Sequence, residues 1–353
     1  MKIVMSKKYL VLIGLFLFLS GCICQKEKKL EIEKFPEVQY IEEISPKISE
    51  EQEISEKEVI KETEKEEVFQ PSKVMEQEQE IEKEKKVALL PKSEIAKVKK
   101  EEFFPEIYLK KWNGECLIYN MKWNLVNFGK AIVISLEEKE NFHLAGITIP
   151  EELPARIGYG YNRVDTFVDK KTGKPKYFYL YTKTGRKEKT TEIFFNWTAK
   201  QYTCIERKYE NKKLYSTKRK VIKFDGDIFD PLSLFYFLRD SNFENIQNKE
   251  FLVALTEKWY VKINFKGIKT QKLPDGQNKE VFVIEPVARS EKEKFKDGKL
   301  DILITKDEKK VVFFEGKVPL GMAKLILNQV QKIDLEKDNN VNEIIKNLVS
   351  NIK

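Results

Sequence analysis

KYFYLYTKTGRKEKTTEIFFNWTAKQYTCIERKYENKKLYSTKRKVIKF, residues 176–224, decides the fold. Runs rich in β-branched and aromatic residues alternate with the short polar clusters Thr184-Gly185-Arg186 and Glu210-Asn211-Lys212, which suit tight turns. Strands joined this closely cannot be parallel, because a parallel pair needs a crossover of a dozen residues or more. The stretch predicts an antiparallel meander.

The same texture extends in both directions. GECLIYNMKWNLV, GKAIVISLEE and ARIGYGYNRVDTFVD precede it, with turn clusters at Asn127-Phe128-Gly129 and Lys171-Thr172-Gly173. EFLVALT, KWYVKINFKGIKT, KEVFVIEPVA, KLDILITKD, KKVVFFEGKVPL and GMAKLILNQV follow, with turns at Asp275-Gly276 and Asp297-Gly298. One segment breaks the pattern. In FDGDIFDPLSLFYFLRD, Asp230 suits a helix N-cap and Pro231 the first helical position, and Leu234, Phe235, Phe237 and Leu238 form a broad apolar face. The expected fold is mainly β: one large curved antiparallel sheet or open barrel over 106–335, with one short buried helix. A helical tail, amphipathic from Val341 to Ile352, occupies 336–353.

The amino-terminal third has a different character. Lys2, Lys7 and Lys8 precede an apolar run from Tyr9 to Leu19, broken only by Gly14, which reads as a signal peptide over 1–21. The run is well short of the roughly 20 residues a membrane span needs. Leu19-Ser20-Gly21-Cys22 resembles the lipobox of bacterial lipoproteins. That resemblance implies diacylglycerol on the Cys22 thiol and cleavage just before it, leaving Cys22 as the first mature residue. Cys24 lacks the pattern, since Gly21 stands where the large apolar residue belongs. Two or three acyl chains hold a protein on its membrane where one holds it only marginally. In lipoproteins of two-membrane bacteria, Asp after the cysteine favours the inner membrane; Ile23 there points to the outer membrane, facing the periplasm. Residues 22–105 then form a lipidated, disordered tether: from Gln25 to Pro105 there are 23 Glu against 16 Lys and no Gly. Its net −7, with the three signal lysines, leaves about +12 of the total +8 for residues 106–353.

A family resemblance covers most of the β region. Gly114-Glu115, Tyr119, Trp123 and Gly129-Lys130-Ala131, then Asp230-Pro231-Leu232-Ser233, Tyr236 and Leu238-Arg239, then Leu300-Asp301-Ile302 and Lys306-Asp307, and last Gly316, Val318-Pro319-Leu320-Gly321 resemble domain-of-unknown-function family 3108. Leu303 stands where the family carries Trp. The resemblance implies an exported bacterial envelope protein on a strongly curved sheet, similar in outline to the half-barrels of periplasmic lipoprotein carriers. It implies no activity.

The chain offers little chemistry. The single histidine, His143, removes clustered-histidine metal sites, and among its apolar neighbours in ENFHLAGITIP it reads as a packing or surface residue. Cys116 and Cys204 lack a CxxC partner; they either pair as a disulfide in an oxidising compartment or stand as two buried thiols. Phosphate-cradling loops are absent, and Asp165, Asp169, Asp225, Asp227 and Asp230 read mostly as turn and cap residues. No enzyme, cofactor or metal is expected, and nucleic acid is an improbable partner for a lipid-anchored chain. Aromatic residues stand out instead. Tyr177, Tyr179 and Tyr181 share one side of a strand with Phe194 and Trp197 nearby, and with Phe235 they are candidates for an apolar ligand surface. The basic run Lys218 to Lys223 reads as a solvated face or as a contact for lipid phosphate.

Two functions follow. In the first, the half-barrel binds a lipid or another apolar envelope molecule. In the second, the sheet edges and basic face contact an envelope protein, and there is no ligand cavity.

Overall fold

The computed structural model describes residues 108–151, 154, 159–290, 300–318, 321–336 and 340–351. The expected signal, the Cys22 lipidation site, the tether and the Asp297-Gly298 turn lie outside them.

Eight strands come first: β1 (Glu115–Trp123), β2 (Val126–Glu138), β3 (Asn141–Pro150), β4 (Tyr159–Asp169), β5 (Pro175–Thr184), β6 (Lys187–Asn196), β7 (Gln201–Glu210) and β8 (Lys213–Lys223). A two-residue strand, β9 (Ile228–Phe229), leads into helix α1 (Pro231–Asp240) and a single turn, α2 (Phe243–Ile246). The chain continues through β10 (Glu250–Ala254), β11 (Lys258–Lys272), β12 (Asn278–Ser290), β13 (Leu300–Thr305), β14 (Val311–Val318) and β15 (Gly321–Lys332), and α3 (Val341–Asn351) follows. All fifteen strands form one sheet in the order 8-7-6-5-4-3-2-1-15-14-13-12-11-10-9. Neighbours are antiparallel except β9, which lies parallel to β10.

This order makes the sheet roll. Strands β8 and β9 stand at its opposite edges, yet only residues 224–227 connect them. From Lys223 to Ile228 the chain can span at most about 18 Å. Laid flat, fifteen strands would hold the same edges about 67 Å apart. The end of β8 at Lys223 and the start of β9 at Ile228 therefore lie close together, and the sheet rolls into an open barrel whose two halves join where β1 pairs with β15.

Two local readings of the sequence are corrected. The first reversal falls at Asn124-Leu125, where Asn124 has φ of 53°, rather than at Asn127-Phe128-Gly129. Gly129 is inside β2 and serves a close approach: a Cβ there would come 2.1 Å from the Ile149 carbonyl oxygen. Strand β3, not among the expected strands, is buried on both faces and so shows no alternation.

Side chains alternate between two cores. Leu117, Tyr119 and Met121 of β1 face the barrel interior with Phe178 and Leu180 of β5, while Cys116 and Ile118 face outward. Helix α1 fills the interior, packing against β3, β4, β9 and β10. It is buried all round, from Pro231 to Arg239, with Ser233 and Arg239 as its buried polar residues. Burying its five large aliphatic and phenylalanine side chains stabilises the fold by roughly 10 kcal/mol before entropy is counted. Outside, α3 lays Val341, Ile344, Ile345 and Val349 on Cys116, Ile118, Ile132, Ile134, Leu136, Ala145 and Ile147 of β1 to β3.

Candidate functional site

Inside the barrel, α1 is fastened at both ends. Asp230 Oδ1 accepts hydrogen bonds from the Leu232 and Ser233 amides at 2.9 and 3.1 Å, and the Ser233 hydroxyl lies 3.0 Å from the Asp230 amide, a capping box. The Thr166 hydroxyl of β4 donates to the same oxygen at 2.7 Å. Burial pushes the Asp230 carboxyl above the usual range, against those hydrogen bonds, and its Oδ2 has no hydrogen-bond partner among the described residues. At the other end Arg239 makes a bidentate pair with Glu115 of β1 at 2.5 and 2.8 Å and donates to the Lys309 carbonyl at 2.9 Å. Its guanidinium sits 3.7 Å from the Trp112 ring centroid. Between these anchors Phe235 stacks on Phe314, with centroids 6.1 Å apart, and Phe237 packs on Phe229 and Phe251. Side chains occupy the surroundings of the helix.

The outer face of β3 to β6 carries an aromatic row set by strand register. His143, Phe167, Tyr177 and Phe194 are successive cross-strand partners, with centroid separations of 4.2, 6.1 and 5.0 Å. Tyr179 and Tyr181 continue the β5 column, and Tyr181 stacks on Tyr161 at 5.3 Å. All three β5 tyrosines are buried.

His143 belongs to a buried ionic cluster. Its Nε2 lies 2.8 Å from Asp165 Oδ1 and its Nδ1 3.2 Å from Glu138 Oε2. Arg163 donates to both Asp165 oxygens at 2.7 and 2.8 Å and reaches Asn342 Oδ1 of α3 at 2.5 Å. Glu138 Oε1 accepts from the Val341 amide, the first of α3, at 3.1 Å. Burial disfavours charge on His143, but Asp165 and Glu138 outweigh it and raise the imidazole above its ordinary value. Burial likewise opposes both carboxylates, yet Arg163 and His143 hold Asp165 low, and His143 and the Val341 amide hold Glu138 low. With a carboxylate on each ring nitrogen, His143 is held toward its protonated form, and both nitrogens already have partners. The cluster is a clasp for α3.

The candidate residues therefore separate. Tyr177, Tyr179, Tyr181 and Phe194 share the outer face, whereas Phe235 is in the interior core and Trp197 packs against that core, its Nε1 donating to the Pro175 carbonyl at 2.7 Å. No single hollow is lined by all six. Cys116 and Cys204 do not pair: they are free, on β1 and β7, six strands apart, in the outer and inner cores respectively. Burial pushes their thiols up to about 12 and about 11, so both stay protonated. Asp169 and Asp230 are turn and cap residues as expected, but Asp165 is a mid-strand ion-pair partner. Its partner His143 is 22 positions away, and only the register of β3 with β4 brings them together. Among the described residues no group of histidines, cysteines and carboxylates could hold a metal ion, and no helix is long and apolar enough to cross a membrane.

The model of the family described as a protein of unknown function, DUF3108, matches residues 118–328. The chain belongs to the DUF3108 family. The match runs from β1 to β15, so the DUF3108 region takes in nearly the whole sheet and α1, while α3 lies beyond it. Among solved structures, this DUF3108 chain is similar to a β-barrel-like protein of domain of unknown function DUF1849 from Brucella abortus, at 9% identity. The similarity covers 62% of this chain and 98% of that one, with a TM-score of 0.36. No curated protein matches the chain.

Proposed function

We propose that this DUF3108 protein is a non-catalytic component of the bacterial cell envelope that acts by contacting a protein partner, with its barrel plugged by α1. Cys22 carries the acyl anchor, and the chain stands on the periplasmic side of the outer membrane. The observation that carries this reading is the plug. A helix buried on every side, capped into β4 at one end and ion-paired to β1 at the other, leaves an acyl chain to compete with side chains worth about 2 kcal/mol each. The alternative, lipid uptake by the half-barrel, needs the tyrosines of β5 and Phe235 on one surface, and they stand on opposite faces.

Native mass spectrometry with lipid extraction on the full chain, released from membranes in mild detergent, tests the reading. A protein carrying only its covalent acyl groups is expected, and a stoichiometric non-covalent lipid would overturn it. The anchor has its own test: Cys22→Ala should move the protein from the membrane to the soluble fraction.

A further inference from the structure

Among the described residues, strand β8 ends the sheet and is hydrogen-bonded on one side only, to β7. Nine of its eleven residues are exposed, including Leu214, Tyr215 and Val221 at 54, 56 and 54%. It carries Lys213, Lys218, Arg219, Lys220 and Lys223 and no acidic residue. Residues 183–223 hold 13 basic and 4 acidic residues, so this end of the sheet concentrates a +9 balance in a chain whose total is +8. The local carboxylates are mostly taken. Glu206, directly opposite Lys218, pairs with Lys189 and Lys208 at 2.5 and 3.4 Å; Glu192 pairs with Arg207, and Glu188 with Lys183. Lys218, Arg219, Lys220 and Lys223 make no ion pair among the described residues.

The geometry points to β8 as a strand-addition site for an extended acidic segment of a partner protein. An edge strand offers a row of backbone donors and acceptors that a partner strand can complete. Consecutive Lys218-Arg219-Lys220 project alternately: Lys220 lies opposite Cys204 of the inner core, and Arg219 opposite Ile205 on the other face. A bilayer would meet one of these faces. A strand laid along the edge alternates in the same way and sets a side chain beside each of the three cations. A second copy of β8 is disfavoured, because cation would face cation. The fitting partner carries three consecutive Glu or Asp residues and an apolar residue opposite Val221. This assignment deepens the partner-contact reading and rests on it.

The test uses the full chain and a labelled nine-residue peptide with three central glutamates flanked by valines and threonines. Binding is expected to weaken about tenfold when the glutamates become glutamines, and equally in Lys218→Gln/Arg219→Gln/Lys220→Gln, as loss of three exposed ion pairs implies. Two further peptides, N-methylated on alternate residues, separate strand addition from charge attraction: one set should abolish binding and the other leave it intact. Equal binding by both, or no binding at low salt, would overturn the assignment. So would vesicles of about 30% anionic lipid that bind through these three residues while the peptide does not. Protection, without peptide, of the β8 amides that point away from β7 would give the edge to this chain's own Glu-rich residues 25–105 and also overturn it. None of these failures affects lipid extraction, which decides the plug.

Discussion

Asp230 shows how one buried carboxyl serves a helix that the sequence announced. Its Oδ1 accepts from Leu232, Ser233 and Thr166, while its Oδ2 has no partner among the described residues. Asp230→Asn keeps the accepting oxygen and should stay within about 1 kcal/mol of wild type, whereas Asp230→Ala should cost about 2 kcal/mol at constant m-value in urea. Because burial raises this pKa, the stability that protonation provides is full below about pH 3.9 and is lost as pH rises through the folded value. Wild type should therefore lose ground to Asp230→Asn between about pH 4 and about pH 7, and a constant gap across that range would refute the assignment. DPLS was legible as a capped helix start because cap chemistry is local. Thr166, 64 positions away, was not.

At the scale of elements, the two longer helices are held by ion pairs that predict opposite remedies. Arg239→Met leaves Glu115 as an uncompensated buried charge at the end of α1 and should cost about 3–5 kcal/mol; Glu115→Leu added to it should recover most of that. If the double variant is no better than the single one, the Trp112 stacking and the Lys309 carbonyl bond carry the anchor instead. For α3 the remedy is pH. His143 has a raised pKa, so its contribution is full below about pH 6.5 and fades as pH rises through the folded value; Asp165 and Glu138 are lowered, so theirs fades only under acid. Protection factors of amides 341–351 in hydrogen exchange should fall several-fold from about pH 6 to about pH 9 in wild type, and stay level in His143→Gln. The strands with one polar face were readable from alternation, and the hairpins from Gly185 and Asn211-Lys212, all three at positive φ. The two-residue β9, the single turn α2 and β3, buried on both faces, gave no such period. The clasp was hidden for another reason: Glu138, His143, Arg163 and Asp165 sit on three strands, and only pairing sums their charges.

At the scale of the molecule, the sheet is two local meanders joined by one distant pairing. Strands β1 to β8 and β9 to β15 each follow chain order, and β1 meets β15 across some 200 residues. Meander turns predict the neighbours within each half, but nothing in a linear pattern says that the halves share one sheet or that its edges return to each other. The short link at 224–227 says so once the order is known. Two competing accounts of that link differ in energy. If the edges are near because the sheet rolls around α1, the link only follows, and eight added Gly and Ser residues between Asp225 and Gly226 triple its length. Loop-closure entropy then charges about 1 kcal/mol. If instead the link pulls the edges together, the same insertion would let β9 leave β10 and would uncover Phe229 and Phe251, a loss of at least about 3 kcal/mol. The plug, anchored to β4 and β1 independently of the link, favours the first account. A urea midpoint that moves by no more than about 1 kcal/mol, with an unchanged m-value, is the expected result.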